Sequence, residues 1–515
     1  MSSTVETTSP RQVRAKRILK DLSGEELRAL ARAGEKTTEY GSPVYATRVK
    51  NRSAKNTFIV ADGVAVGTMQ QPMEPRRAQE VVREVQDTLA GMEMIQVDRR
   101  IGEDPEATLR CRLYVPKDYA RIAYMWHNML FPSDSSHEPN FVSIYVPDWP
   151  ERLIFADMNL GYTYILGTDY PGEAKKSMLR QAMYWIKRRD GLGLHAGSKI
   201  LRVSGPDGAL RDVGFLLFGL SGTGKTTLTL HDHGLQEPEK AIIKQDDVVL
   251  MTREGRAYGT EDGFYIKTEG LEPSQTVLWG AATHATATYE NIAVKEGGAV
   301  DFLDTSITSN GRGVVLRRYI KGTGEGIDLA KANKIVFITR RNDIVPVCAR
   351  LTPDQAAAYF MLGESIETSA GDPTRAGQAK REVGTNPFIV GPEAEEGNRL
   401  LAILRENPDM QAYILNTGSI GARDGSNGEK ITIKVSTEIM KQIAKEGIAW
   451  EADPDWGYEV PARVPGVDLE RYMPRAFYDA AQYAERVARL REERRAWLAQ
   501  FPGLDPVIPE AIEKH

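Results

Sequence analysis

Gly219-Leu220-Ser221-Gly222-Thr223-Gly224-Lys225-Thr226-Thr227 reads G-x-x-x-x-G-K-T, the spacing of a phosphate-binding P-loop. The run before it, Val213-Gly214-Phe215-Leu216-Leu217-Phe218, is apolar and predicts a buried strand. The run after it, Thr226-Thr227-Leu228-Thr229-Leu230, predicts the start of a helix. A strand that ends in a glycine-rich turn and enters a helix aims backbone N–H groups and a helix N-terminus at one point, where a polyphosphate fits. Lys225 then reaches the outer phosphates and the Thr226 hydroxyl holds Mg²⁺. Glycine-rich turns also serve as plain strand–helix connectors, so the weight rests on Lys-Thr at this offset together with both flanks.

Nucleotide-bound Mg²⁺ needs a further acidic group. Ala241-Ile242-Ile243-Lys244-Gln245-Asp246-Asp247 offers two carboxylates at the end of an apolar strand. A hard cation takes oxygen ligands and keeps waters, so Asp246 or Asp247 with Thr226 and phosphate oxygens makes an ordinary shell. His195 lies in a Gly-rich, partly apolar setting, Leu192-Gly193-Leu194-His195-Ala196-Gly197, shortly before the P-loop strand. A lone histidine in such a place is also a common structural residue. His231 and His233 read as a helix-ending turn rather than a metal pair. Adjacent lysines, Lys175 and Lys176, open a predicted helix over residues 173–188, where a solvated face is the bland alternative. Taken alone, these residues describe an ATP- or GTP-handling enzyme with Mg²⁺ and an undetermined acceptor.

Bulk properties narrow the class. The chain has 515 residues, 41% hydrophobic and 27% charged, which describes a globular protein of two or three domains. A net charge of −5 argues against nucleic acid or an anionic membrane as the main partner. Cys111 and Cys348 form no disulfide framework and fit a reducing cytoplasm. No apolar run is long enough for a membrane span, and the first residues lack the core of a signal peptide.

Along the chain, residues 1–12 read as a disordered tail and residues 13–33 as an amphipathic helix. Helices are also predicted over residues 76–92, 119–130, 353–362 and 477–500. Strands are predicted at residues 58–60, 95–98, 109–115, 141–146, 162–166, 241–243 and 334–339, with 248–251 as hairpin partner to 241–243. Turn chemistry in Val203-Ser204-Gly205-Pro206-Asp207-Gly208 suggests a boundary that separates a domain at 13–205 from a P-loop domain at 206–515. The polar, Gly-rich stretch 367–387 reads as a lid.

The order of motifs resembles ATP-dependent phosphoenolpyruvate carboxykinases. The string G-L-S-G-T-G-K-T-T-L is similar to that family's own P-loop. The block 167–177 (G-T-D-Y-P-G-E-A-K-K-S) resembles its Tyr-x-Gly-Glu-x-Lys-Lys motif. Gln245-Asp246-Asp247 resembles its Gly-Asp-Asp, and residues 261–268 its Glu-Gly-Gly-x-Tyr-x-Lys-Thr. Residues 50–60, 308–312, 416–418 and 473–475 resemble four more family segments, in the family's order. The adenine-side segment is drifted, with Pro474-Arg475-Ala476-Phe477 where the family has Pro-Arg-Asn-Thr. Thr308-Ser309-Asn310-Gly311-Arg312 likewise replaces Thr-Glu-Asn-Thr-Arg.

The resemblance implies an α/β, two-domain carboxykinase-like fold with a P-loop mononucleotide-binding domain, the first domain facing the substrate. It implies that Lys176, His195 and Asp247 ligate Mn²⁺, and that Thr226 holds the Mg²⁺ of ATP. Lys225 and Lys267 would neutralise the transferring phosphoryl, helped by Arg312. Arg52 would grip the oxaloacetate carboxylate, Tyr170 and Lys175 would line the CO₂ side, and Arg312 and Arg475 would touch the nucleotide. The expected reaction is oxaloacetate and ATP giving phosphoenolpyruvate, ADP and CO₂, in the cytoplasm and gluconeogenic in sense. A kinase for another acceptor, small molecule or protein hydroxyl, and a nucleotide-binding regulator without turnover are the alternatives on the same scaffold.

Overall fold

The computed structural model describes residues 9–513 apart from 221, 325, 367–377 and 424–425. The chain is mixed α/β and divides into two compact units, one of Met1–Trp185 with Thr260–Lys321, the other of Ile186–Gly259 with Gly322–His515. Each unit is thus assembled from separated pieces of chain. The boundary expected at residue 205 falls elsewhere. The turn at Gly205 joins Ala196–Ser204 to Leu210–Phe218, which pair antiparallel along their whole length inside the second unit. A tight hairpin and an interdomain linker use the same turn residues, and pairing partners decide between them.

The first unit carries a nine-stranded mixed sheet. The helix Pro75–Leu89 lies on it, entered by a proline at its first turn. Its buried residues Ala78, Val81, Val82, Val85 and Leu89 recur at helical spacing and join one core with sheet residues Val60, Ile144, Phe155 and Tyr164. Residues 9–12, expected within the tail, are held in place: Gln86 Nε2 donates to Gln12 O at 2.8 Å and the Tyr164 hydroxyl to Pro10 O at 3.0 Å. The amphipathic helix expected over 13–33 is only Gly24–Ala31, with Ser23 and Glu26 forming its capping box. Arg17–Leu19 instead pairs parallel with Glu93–Ile101, so edge pairing overrides the helical spacing of Leu19.

A second sheet of this unit matters more for chemistry. It runs Gly263–Lys267, Arg312–Leu316, Thr288–Glu290, Pro43–Tyr45, Lys36–Thr37. Its register sets Arg312 opposite both Lys267 and Glu290.

The second unit is built on an eight-stranded sheet in the order Lys240–Gln245, Ala196–Ser204, Leu210–Phe218, Lys334–Thr339, Gln411–Asn416, Cys348–Leu351, Glu459–Arg463, Ala449–Ala452. Leu210–Phe218, Lys334–Thr339 and Gln411–Asn416 are parallel, so their carboxyl ends share one edge, the usual ligand edge of an open α/β sheet. Val249–Met251 does not pair with Lys240–Gln245 as expected. It joins Leu192–Leu194 and Ala257–Gly259 in a separate three-stranded sheet. Asp246–Val248 carries the chain from one sheet to the other, where Leu192–Leu194 is the partner. Of the expected lid at 367–387, residues 367–377 lie outside the described residues. The remainder is ordered: Ala379–Arg381 pairs antiparallel with Glu364–Ile366, and Val383–Thr385 forms a short 3₁₀ turn. Among the described residues no helix is long and apolar enough to cross a membrane.

Glu364 anchors that hairpin to the C-terminal helix Ala480–Leu498. Arg494, fully buried, donates through Nε to Glu364 at 3.2 Å and through a terminal nitrogen to the Tyr359 hydroxyl at 2.8 Å. Burial alone would raise the Glu364 carboxyl; Arg494, Arg341 and Arg381 overcome it and hold the pKa down to about 2. Removing one partner of such a pair strands the other charge. Arg494→Met is expected to lower unfolding free energy by about 3 kcal/mol in urea titration, with Glu364→Gln added to it recovering part of the loss. Equal stability of Arg494→Met and the parent would refute the anchor.

Candidate active site

Strand register builds the first half of the site. Ala196 pairs with Phe218 and Ser198 with Gln245, because Ala196–Ser204 is antiparallel to both of its neighbours. The start of that strand therefore lies level with the ends of the other two. His195 precedes it, Gly219 follows Phe218, and Asp246 and Asp247 follow Gln245. On the other side of the crossing, Leu194 pairs with Val249. Both crossings are thus clamped before and after the functional residue.

The loop itself has the shape the motif demands. Gly222 and Gly224 have φ of +84° and +94°, a region that side chains resist. A Cβ on Gly219 would sit 2.4 Å from Thr223 Oγ1. The parallel strands beside it supply the clasps: an Arg340 terminal nitrogen donates to Gly222 O at 2.9 Å and Thr417 Oγ1 to Thr223 O at 2.7 Å. Lys225 and Thr226 open the helix Lys225–Leu230. Ser221 lies outside the described residues.

His195 Nε2 is 2.9 Å from Asp247 Oδ1, and Lys225 Nζ is 3.4 Å from Nε2 and 3.5 Å from Oδ1. His195 Nδ1 faces Thr385 O at 2.7 Å, and a carbonyl only accepts, so Nδ1 carries the proton. The Nε2 lone pair then points at a carboxylate oxygen. That arrangement is favourable only with a proton or a cation shared between them. One imidazole nitrogen and one carboxylate oxygen, with the far ring nitrogen held by a carbonyl, suit a divalent cation. Phe388 meets the His195 ring edge-on at 6.0 Å and limits its rotation. Asp246, buried, ends the strand beside Asp247. Among the described residues no cluster of three or more His, Cys, Asp and Glu side chains gathers.

The first unit brings together another group. Glu173, in the first turn of the helix Gly172–Lys187, accepts from Ser53 N at 2.5 Å. Burial raises the Glu173 carboxyl, and Arg180, Arg52 and Lys176 pull it back, which puts Arg52 and Lys176 around one carboxylate. The neighbouring Lys175 is ion-paired to Glu261 at 3.1 Å, with both side chains 1% exposed. Tyr265 joins this pair to the sheet: its ring lies 5.7 Å from Lys175 Nζ and 5.6 Å from the Arg312 guanidinium, and its hydroxyl donates to Glu290 at 2.5 Å. Tyr170 packs against the bare backbone of Gly172, where a Cβ would lie 2.5 Å from its ring. Burial raises the Tyr170 phenol, and Arg312 partly offsets it. Arg312 also donates to Asn310 Oδ1 at 2.7 Å, and Asn310 Nδ2 to Lys50 O at 2.6 Å, which ties the strand to the Arg52 segment. Lys267, opposite Arg312, is paired with Glu269.

Arg475, expected at the nucleotide, is ion-paired with Asp455 and lies over the Tyr483 ring at 4.5 Å. A nucleotide role would require it to exchange that pairing. Several residues of the site carry no signal in the sequence: Thr385 by its carbonyl, Glu290 and Arg340. Thr417 was visible within Asn416-Thr417-Gly418.

Glu290 has a titration of its own. Burial pushes its carboxyl up to about 7, although Tyr265 and Arg312 stabilise the ionised form. Its pKa lies above that of an exposed glutamate, so the native state keeps a proton that the unfolded chain has lost. Stability from this group is present at low pH and falls as pH rises through the interval between about 4.3 and 7. Glu290→Gln keeps an acceptor for Tyr265 and removes the charge. Its stability relative to the parent is expected to rise steadily from about pH 5 to 7 and then level off, in urea unfolding across that range. A pH-independent difference would refute it.

A family model described as phosphoenolpyruvate carboxykinase, the ATP-using type, matches residues 16–470. Among curated proteins, the phosphoenolpyruvate carboxykinase (ATP) of Aeropyrum pernix is 38% identical over 411 residues, covering 79% of this chain and 81% of that protein. The proteins of the same name from Geobacillus thermodenitrificans and Sinorhizobium medicae are 28% and 26% identical, each covering about nine-tenths of both chains.

Proposed function

The chain belongs to the ATP-dependent phosphoenolpyruvate carboxykinase family, and we propose that it converts oxaloacetate and ATP to phosphoenolpyruvate, ADP and CO₂, reversibly and in the gluconeogenic sense. The observation that carries this reading is the meeting of Lys225, His195 and Asp247 at the mouth of a P-loop, at 2.9–3.5 Å. A generic nucleotide-binding loop has no use for an imidazole oriented by a carbonyl in that place.

Each residue then has a task. Arg52 holds a carboxylate of oxaloacetate by its fixed fork of donors. Tyr170 and Lys175 form the wall on the departing CO₂ side, Lys175 kept in place by Glu261. The bond between the carboxylate carbon and its neighbour breaks, and its electron pair passes to the keto oxygen, which attacks the γ-phosphorus in line as ADP leaves. Lys225 and Lys267 neutralise the phosphoryl oxygens in flight, and Arg312, fixed between Lys267 and Glu290 by strand register, shares the spreading charge. Residues 219–227 cradle the phosphates through backbone N–H groups. Lys176, His195 and Asp247 would hold Mn²⁺, which requires the lysine as neutral amine, and Thr226, with Asp246 nearby, would hold Mg²⁺. Bound there, the two ions would supply positive charge beside the keto oxygen and the phosphates. Arg475 would turn to the base of the nucleotide. Two buried free cysteines, Cys111 and Cys348, fit a reducing cytoplasm as the place of action.

The assay is direct. Purified enzyme with Mn²⁺ and Mg²⁺ is given oxaloacetate with ATP, GTP or pyrophosphate, and phosphoenolpyruvate is measured. ATP is expected to be the effective donor, and Lys225→Ala to lower kcat by roughly a thousandfold, as for loss of a charged group at the transferring phosphoryl. ATP hydrolysis with no phosphoenolpyruvate from any donor would overturn the reading.

A further inference from the structure

Lys199 stands in the strand Ala196–Ser204 with its side chain wholly buried at 0% exposure. An ammonium has three N–H donors, and Lys199 meets three acceptors: Leu228 O at 3.0 Å, His231 O, and His233 Nε2 at 3.0 Å. His233 can accept because its other nitrogen is committed: Nδ1 faces Thr437 O at 3.1 Å and so carries the proton. Burial keeps that imidazole neutral, well below the usual histidine range. The turn His231-Asp232-His233 is therefore a built socket, not just the end of a helix.

What the socket holds is the far end of the P-loop helix. Lys225–Leu230 has six residues and is about 9 Å long. A helix that short does not hold itself together in isolation. Its last carbonyls have no amide ahead of them in the helix, and a cation is the favoured partner there. The same strand touches the helix a second time: a Cβ on Gly197 would come within 2.3 Å of Thr229 Oγ1, so the bare strand backbone there seats the Thr229 side chain. One strand thus carries His195 at its start and grips the P-loop helix at Gly197 and at Lys199. Lys225 and Thr226 occupy the first turn of this helix, so any rotation of its end moves them.

A buried cation is costly, and an apolar side chain of similar length fills such a space at less cost. Burial pulls the Lys199 pKa down to about 7 even though Asp232 attracts the charged form. Stability alone does not account for a lysine in this place.

We propose that Lys199 is a positioning residue for the phosphoryl donor: seated on Leu228, His231 and His233, it fixes the P-loop helix so that Lys225 and Thr226 meet the nucleotide's phosphates. The proposal rests on residues 219–227 being the nucleotide's phosphate loop. Lys199→Met keeps the length and removes the donors. ATP affinity, measured by direct titration and as KM, is expected to weaken about tenfold, the equivalent of one charge-assisted hydrogen bond, while KM for oxaloacetate stays within about twofold.

His233 provides an independent pair of variants. His233→Gln retains an acceptor where Nε2 lies, and His233→Asn retains only the donor toward Thr437. Asparagine is the better residue for the His233 backbone at φ +59°, so a purely structural role makes His233→Asn the healthier protein. The proposal expects the reverse order for ATP affinity, with glutamine near the parent and asparagine weakened.

Unchanged ATP affinity in Lys199→Met, or equal shifts for ATP and oxaloacetate, would overturn it. If Lys199→Met does not fold, equal ATP affinity of the two His233 variants overturns it instead. Parent-like ATP binding in Lys225→Ala would strike the phosphate-loop reading itself, a result separable from any of these.

Discussion

The second unit depends on a single constraint: Ala196–Ser204 is antiparallel to both strands beside it. Because the register is locked on two sides, the start of this strand is level with the ends of Leu210–Phe218 and Lys240–Gln245. Three segments far apart in sequence then deliver an imidazole, a P-loop and a pair of carboxylates to one edge of a sheet. A slip of one residue would turn every side chain of the strand to the opposite face, so burial of Leu201 and Val203 on one side protects the site as much as the core. The loop's own clasps, Arg340 and Thr417, come from the ends of the next two parallel strands, so the edge is stabilised from within the same sheet.

The first unit solves a different problem, which is to keep several like charges close. Arg52, Lys175, Lys176, Lys267 and Arg312 are the cations it contributes. Carboxylates face several of them: Glu261 pairs with the buried Lys175, Glu173 interacts with Arg52 and Lys176, and Glu290 lies across the strand from Arg312. Such pairs add little net stability once desolvation is counted. Their value lies in pre-arranging positive charge for an anionic substrate before it arrives, so that no reorganisation is required at the moment of reaction.

Local signals in the sequence were read well where a single segment carries the whole cause. The helix Pro353–Leu362 has Thr352 and Gln355 in a capping box, a proline in its first turn, and Gly363 at φ +44° as its stop. The strand Lys334–Thr339 is an uninterrupted apolar run between parallel neighbours. The P-loop and Asp247 were legible for the same reason, since a glycine spacing or a strand-end carboxylate is a local fact, whereas His195 was singled out as a ligand only by the family resemblance. Where the cause is a partner strand, the sequence was silent or misleading. Leu19 fits a helical spacing but sits in a strand paired to Glu93–Ile101. Gly205-Pro206-Asp207-Gly208 has the chemistry of a boundary and is a hairpin turn. Glu290 is an ordinary glutamate until register places it opposite Arg312. Thr385 acts through a carbonyl, which every residue possesses.

A P-loop motif specifies the phosphate-facing turn, but says nothing about what holds a six-residue helix behind it. Tertiary contacts must do that, and they are free to change as long as the helix end stays fixed. In this chain the fixing group is a buried lysine read by two carbonyls and a neutral histidine. Burial keeps the histidine neutral, and Thr437, on the helix Ile433–Lys445, accepts its Nδ1 proton and so fixes which nitrogen faces Lys199. The position of Lys225 thus depends on hydrogen bonds that lead out from Lys199, one into Leu228 O and one into His233, which donates in turn to Thr437 O. Substitutions at Thr437 that shift its backbone would be felt at the phosphates without touching them.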